Sequence, residues 1–284
     1  MHRTALITGA SGGLGAYLAK TFSRAGFALH LVARRKGDLE KIKDNIRKSS
    51  DLPVQSWVSD LSSNNERCRF LQEFRACCQK LDVLINNAAC QGPIGPLESN
   101  SLKDWQNTVE LNLLAPVQIC QELLPILKGV PSGLIINISG GGATGPRPNF
   151  TAYASSKAAL VRFSETLAEE MREQGIRVNC IAPGPMTTQM LQKVLDADQK
   201  VAGEREVKQA QKVFESGIEI MEKAAQLALF LASEASVGIT GKLISAPWDR
   251  WEDWPKHLAE LNRSDAYTLR RITGKDRGLA WGDR

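Results

Sequence analysis

An α/β fold, a doubly wound parallel sheet of seven strands with helices on both faces, is what this sequence predicts, and three observations predict it. Apolar runs of strand length alternate with helical periods along the chain, the pattern of repeated strand–helix–strand units joined by right-handed crossovers. A glycine-rich turn, Gly9 to Gly15, joins the first run to the first helix. The polar residues that stand out from the pattern fall at the carboxyl ends of the runs, where sheets of this kind bind ligands.

Residues 3–8 (RTALIT) are the first strand, and Gly9, Ser11, Gly12, Gly13 and Gly15 precede a helix that runs to about Gly26. Such a turn brings backbone N–H groups and the positive end of a helix dipole against a pyrophosphate, although the spacing Gly9-x-x-x-Gly13-x-Gly15 differs from G-x-G-x-x-G. The second strand, Phe27–Ala33, ends in Arg34 and Arg35. NAD-binding units carry an acid near this point for the ribose 2′-hydroxyl; two arginines predict the 2′-phosphate of NADP as the preferred ligand, with NAD also possible.

A helix over about 37–48 leads to the third strand, Val54–Val58, which ends in Asp60 and Leu61. Ser62 or Ser63 caps the next helix, whose Phe70, Leu71, Phe74 and Leu81 keep a helical period. The fourth strand, Val83–Ile85, ends in Asn86-Asn87-Ala88-Ala89. A helical segment at about 101–128 carries Asn112, and Pro116 and Pro125 are expected to bend or break it. After the fifth strand, Leu134–Ile138, come Ser139 and three glycines, then a long helix. The sixth strand, Arg177–Ile181, ends in Pro183 and Gly184. Residues 186–220 have the composition of a mobile lid, and a helix at 222–232 with a strand at 242–246 completes one domain, 1–246.

Residues 247–284 form a Trp-rich charged extension, with seven acids and eight bases around Trp248, Trp251, Trp254 and Trp281. It is expected to pack as an arm on the core or on a neighbouring subunit, with tryptophans as anchors. The other reading is that it covers the site and stacks an aromatic on a ring-shaped substrate.

Tyr153 and Lys157 are the chemically useful pair. Four residues apart on a helix, they share a face, and an ammonium beside a phenol lowers a pKa of about 10 toward the range where Tyr153 can act as acid and base. On the same helix Leu160, Phe163, Leu167 and Met171 make a stripe expected to face the sheet. Ala158, Val161, Ser164 and Ala168 make a second, small-residue stripe, expected to meet another copy of the chain.

The bulk numbers exclude several classes. A net charge of +5 is spread without a long run of one sign, which argues against a nucleic-acid partner. No apolar run approaches a membrane span of about 20 residues, and Met1–Arg3 leads straight into a strand without a secretory pattern. Six cysteines without a C-x-x-C pair and three scattered histidines read as a cytoplasmic protein with no metal site.

With these motifs assembled, residues 3–246 resemble the short-chain dehydrogenase/reductase family. The matches are TGASGGLG (8–15), Asp60, NNAA (86–89), Asn112, Tyr153-x-x-x-Lys157, Asn179 and the segment Pro183–Thr188. The resemblance implies a Rossmann-type fold and an NADP-preferring oxidoreductase that interconverts an alcohol and a carbonyl. It implies cofactor contacts from the turn residues Gly9, Ser11, Gly13, Leu14 and Gly15, and from Arg34 and Arg35. It further implies that Asp60 and Leu61 lie by the adenine, Asn87 and Ala88 by the ribose, and Pro183, Gly184 and Thr188 by the nicotinamide. Lys157 would hold ribose hydroxyls beside Tyr153, and Asn112 would anchor a water for proton relay.

Members carry a serine thirteen residues before the tyrosine. Here that position is Gly140, and Ser139, one earlier, is the candidate to replace it. Because side chains alternate across a strand, the offset turns the hydroxyl unless the glycines let the strand end curl. This motivates an alternative function, an NAD(P)-binding sensor or scaffold with weak redox activity. The resemblance also implies a homodimer or homotetramer built on a four-helix interface.

Overall fold

The structure, a computed structural model, describes residues 2–197, 199–216, 219–279 and 281. Strands β1 (Arg3–Thr8), β2 (Phe27–Ala33), β3 (Val54–Val58), β4 (Val83–Asn86), β5 (Leu134–Ile138), β6 (Arg177–Ala182) and β7 (Leu243–Ser245) form one sheet in the order β3-β2-β1-β4-β5-β6-β7. Every pairing is parallel. The order reverses between β1 and β4, and that switch point opens a crevice at the carboxyl ends.

The two-residue period of the strands divides the interior. Ala5, Ile7, Val83 and Ile85 face a core shared with helices α1 (Gly13–Arg24), α2 (Lys36–Arg47) and α10 (Glu219–Leu231). Their neighbours Leu6 and Leu84 face a second core against α3 (Asn64–Cys77), α5 (Ala115–Leu127) and α6 (Thr151–Glu170). Near-continuous apolar strands are what a sheet covered on both faces requires. Phe22 and Phe74, one in each core, are fully buried, and truncating either to Ala would cost about 3–5 kcal/mol.

Two expectations about helices need correction. Of the expected bend or break at Pro116 and Pro125, the break does not occur: α4 (Leu102–Val109) continues into α5 through a π turn at Glu110–Leu114. Pro116 sits in the first turn of α5, where a missing N–H is tolerated, and it cannot donate to the Asn112 carbonyl four residues back, so the wider turn forms just ahead of it. Pro125 is accommodated in the last turn of α5, third from its end.

The second stripe of α6 is not left for a partner either: Leu160 and Leu167 of the first stripe are buried as expected, and so is most of the second. Val161, Ser164 and Ala168 are buried within the single chain, with Val161 against Ala143 and Cys180, and Ser164 Oγ accepting from Asn137 Nδ2 of β5 at 2.7 Å. Phe163 and Met171 are the half-buried ones. The stripe that was expected to need a partner already has one.

Residues 186–220 are largely helical, with α7 (Gln189–Asp196), α8 (Gln199–Ala202) and α9 (Glu204–Ser216); positions 198, 217 and 218 of that stretch lie outside the described residues. The chain after β7 folds back on the core, its positions 280 and 282–284 likewise outside the description. Trp251 and Trp254 are buried, and α11 (Leu258–Arg263) follows them. Lys242 Nζ donates to the carbonyls of Leu261, Ser264 and Ala266 at 3.0, 3.2 and 2.9 Å. The Leu243 N–H on the outer edge of β7 donates to Tyr267 O at 2.8 Å, and Glu165 and Arg162 of α6 hold the backbone of Leu269.

Candidate active site

The glycine turn is shaped by what it must not contain. Gly9 and Gly13 have φ of +67° and +52°, and a Cβ at Gly9 would lie 2.9 Å from Ala88 Cα. At Gly15 it would lie 2.2 Å from Gly9 O, so the helix starts hard against the turn. No side chain caps α1 and no acid stands in its first turn, which leaves its N-terminal N–H groups and dipole for an anion.

Asn87 has a structural task here. Its Nδ2 donates to Thr8 O at 2.9 Å and Gly9 O at 3.3 Å, while the N–H groups of Asn87 and Ala88 donate to Thr8 Oγ1. Thr8, which sequence reasoning passed over as a strand end, therefore ties β4 to the turn. Asn86 extends the linkage inward, donating to Asn137 Oδ1 at 2.8 Å.

Arg34 and Arg35 stand at the end of β2. Arg34 lies 3.7 Å from Asp60 and Arg35 lies 2.8 Å from Asp38, with Arg35 Nη1 also donating to Gln189 of α7. Burial opposes ionisation of Asp60, but two hydrogen bonds from Ser62 and the Arg34 charge outweigh it and hold the carboxyl below its ordinary value. Leu14 and Leu61 are buried beneath the cleft floor. Ser11 lines the cleft with the turn.

Tyr153 and Lys157 project from the first turns of α6, both almost fully buried. Lys157 Nζ donates to Ile138 O at 2.8 Å and lies 5.8 Å from the centre of the Tyr153 ring. Burial pushes the phenol up to about 12 and the ammonium down to about 8. The expected lowering of Tyr153 is thus overturned in balance: desolvation wins, and the positive charge that opposes it is that of Arg147. The Arg147 guanidinium carbon lies 3.9 Å over the Phe150 ring and 5.7 Å from the Tyr153 ring, held by Glu206 of α9 at 3.1 and 2.8 Å. No sequence motif marked Arg147 or Glu206, since a loop residue and a lid residue meet only in the folded chain.

Asn112 is buried in the π turn. Its Oδ1 accepts from Cys90 N at 2.9 Å, and its Nδ2 donates to Cys90 O at 3.0 Å and Ser156 Oγ at 3.1 Å. Gly140 is as tight as Gly15, for a Cβ there would lie 2.2 Å from the Tyr153 hydroxyl oxygen. Ser139 adjoins it and lines the cleft, its hydroxyl buried and without a hydrogen-bond partner among the described residues.

At the far wall, Gly184 (φ +83°) packs against Pro247, and Thr188 caps α7 while its methyl sits 3.3 Å from where a Gly13 Cβ would be. Most of these groups line one continuous cleft of about 950 Å³ that runs from Arg34 past Pro183 to Trp248, while Asp60 and Asn112 stand outside its lining. Trp248 is 73% exposed at its mouth, unlike the buried Trp251 and Trp254. No cluster of potential metal ligands and no membrane-length apolar helix occurs among the described residues.

The family model described as short chain dehydrogenase matches residues 3–199. A short chain dehydrogenase of Pseudocercospora fijiensis is 33% identical over 66% of this chain and 61% of its own length. The 3-oxoacyl-[acyl-carrier-protein] reductase FabG of Chlamydia trachomatis is 30% identical over 86% of this chain and 96% of its own length. Among solved structures, a short chain dehydrogenase from Shigella flexneri in complex with NADP superposes with a TM-score of 0.75 at 27% identity, covering 86% of this chain and 96% of its own.

Proposed function

The chain belongs to the short-chain dehydrogenase family, and from that premise we propose that it is an NADP-preferring oxidoreductase interconverting an alcohol and a ketone or aldehyde, with Tyr153 as acid and base. The observation that carries the reading is the convergence of Tyr153 and Lys157 with the glycine turn on one cleft. The residues suit a dinucleotide phosphate. The turn has no side chain where a pyrophosphate would approach, α1 offers unbonded N–H groups, and Arg34 and Arg35 stand where a 2′-phosphate would lie.

NADP, when bound, supplies or accepts the hydride. The chain's own residues do the rest. In reduction the Tyr153 O–H gives its proton to the substrate oxygen; in oxidation the phenolate takes it back, and such assistance is worth about 10²–10⁴ in rate. Lys157 is placed to hold hydroxyls of the ligand beside Tyr153, and Asn112 fixes the Cys90 backbone behind them. Asp60, Leu61, Asn87 and Ala88 bound the adenosine end of this reading, and Pro183, Gly184 and Thr188 the nicotinamide end.

The test is a panel of ketones and aldehydes with NADPH, followed by Tyr153→Phe on any substrate found. Full turnover in that variant would refute the assignment. Gly140 and the buried Ser139 hydroxyl favour a second reading, a cofactor-binding sensor with little redox activity. Tight NADPH binding with no oxidation across the panel is its signature. We also infer a cytoplasmic setting, supported by six free thiols. A homodimer or homotetramer now rests on family resemblance alone, and a mass measurement at micromolar concentration decides it.

A further inference from the structure

We propose that Arg147 acts through Tyr153, supplying the fixed positive charge that supports the reacting phenol oxygen where the chain has glycine instead of a hydroxyl at 140, and that Glu206 of the lid sets the strength of that charge. The inference rests on Tyr153 being the acid and base.

The geometry puts two cations at nearly equal distance from one ring: Lys157 Nζ at 5.8 Å and the Arg147 guanidinium at 5.7 Å. They differ in durability. Lys157 is buried, donates to a backbone carbonyl, and burial lowers its pKa to about 8, so its charge fades over the alkaline range in which a phenol ionises. A guanidinium keeps its charge there. Arg147 is also held in place, with its side chain only 18% exposed, its guanidinium carbon 3.9 Å over the Phe150 ring, and two N–H groups on one oxygen of Glu206.

The titratable groups facing Tyr153 come from four elements: Lys157 on α6, Arg147 on the loop before it, Cys90 after β4, and Glu206 on α9 behind Arg147. Of these, Arg147 favours the phenolate and Cys90 opposes it. In carbonyl reduction the Tyr153 O–H bond breaks as the new alcohol O–H forms, which leaves a phenolate beside Arg147; oxidation runs the same transfer backward.

A simple lid latch makes a different prediction. If the Arg147–Glu206 pair only tied the lid to the loop, removing either partner would loosen the same contact. If it tunes Tyr153, the two removals have opposite signs. Arg147→Met takes away the supporting charge; Glu206→Gln removes the carboxylate that partly neutralises it.

The experiment uses the full chain without cofactor, grown with ring-fluorinated tyrosine so that the phenol titrates where the protein is folded. The three tyrosines give three fluorine NMR signals, and Tyr153→Phe assigns the one of interest. With the guanidinium carbon 5.7 Å from the ring centroid, a unit charge at a separation of that order and an effective dielectric of about 20 shifts a midpoint by roughly two pH units, and about half of that after partial neutralisation. The Tyr153 midpoint is expected to rise about one unit in Arg147→Met, to fall in Glu206→Gln, and to return toward wild type in Arg147→Lys. Movement of both removals in the same direction, or of neither, overturns the proposal. Glu206→Gln alone keeps the test alive if Arg147→Met does not fold. Because no substrate enters the titration, its failure is separate from failure of the oxidoreductase reading.

Discussion

Restoring the family's serine at position 140 is expected to damage the enzyme. In Gly140→Ser the new Cβ would lie 2.2 Å from the Tyr153 hydroxyl oxygen, against an ordinary contact of about 3.4 Å, so the phenol must retreat by roughly 1 Å. The ring has little room, because Tyr153 is 7% exposed and packs with Phe150 and the lid residues Val194 and Val207. A displacement of that size at the reacting atom costs on the order of 10²-fold in turnover. The overpacking itself should destabilise the fold by about 1–3 kcal/mol. The assay is kcat for a carbonyl identified in the panel, with NADPH titration and urea unfolding to separate misplacement from misfolding. Gly140→Ala, which adds the Cβ without a hydroxyl, should lose activity to the same degree. Turnover that rises in Gly140→Ser while Gly140→Ala stays near wild type would refute the steric argument and show that a hydroxyl at 140 is tolerated and useful.

Three other outcomes follow from the same site. Lys157→Met should stabilise the cofactor-free fold by up to about 3 kcal/mol at pH 7, less the lost bond to Ile138 O, while abolishing turnover. The folded pKa lies below the ordinary 10.5, so wild-type stability rises with pH between about 8 and 10.5 and the variant's advantage fades across that window; an advantage equal at pH 7 and 10 in urea unfolding argues against it. Ala33→Asp combined with Arg34→Ser should shift preference from NADP toward NAD in paired titrations, and equal wild-type affinities would remove the arginine argument. Trp251→Ala should cost about 3–5 kcal/mol, since the ring is buried against Phe230 at 5.1 Å; a melting temperature unchanged from wild type contradicts the anchor role.

The strands and the cleft were legible because their signals are local. Each apolar run, from RTALIT to LIINI, is bounded by glycine, proline or asparagine, and the structure keeps β1 and β5 as read and extends β4 and β6 by one residue each. The Tyr153–Lys157 pair was legible from helical spacing alone. The burial of both α6 stripes was not, because it depends on contacts such as the hydrogen bond from Asn137 to Ser164, between residues 27 apart. The pKa of Tyr153 was misjudged for a related reason. Spacing says that a lysine is near but not how deeply both groups are buried, and burial dominates. Arg147 lay beyond any motif, since its reach depends on the loop from Gly140 to Phe150 and on a lid residue 59 positions away.

The carbonyl of Tyr267 laid on the outer edge of β7 has a meaning for the protein in concentrated solution. A sheet edge with free N–H groups is a template on which another chain can add a strand, and β7 is one of the two edges this sheet has. Tyr267 takes up the Leu243 donor, and Lys242 pins the neighbouring carbonyls so that the strap stays down. Clipping the chain between Leu261 and Tyr267 should leave the cleft-lining residues before it in place and yet convert a well-behaved protein into one that aggregates, an effect to be seen in light scattering before any loss of cofactor binding.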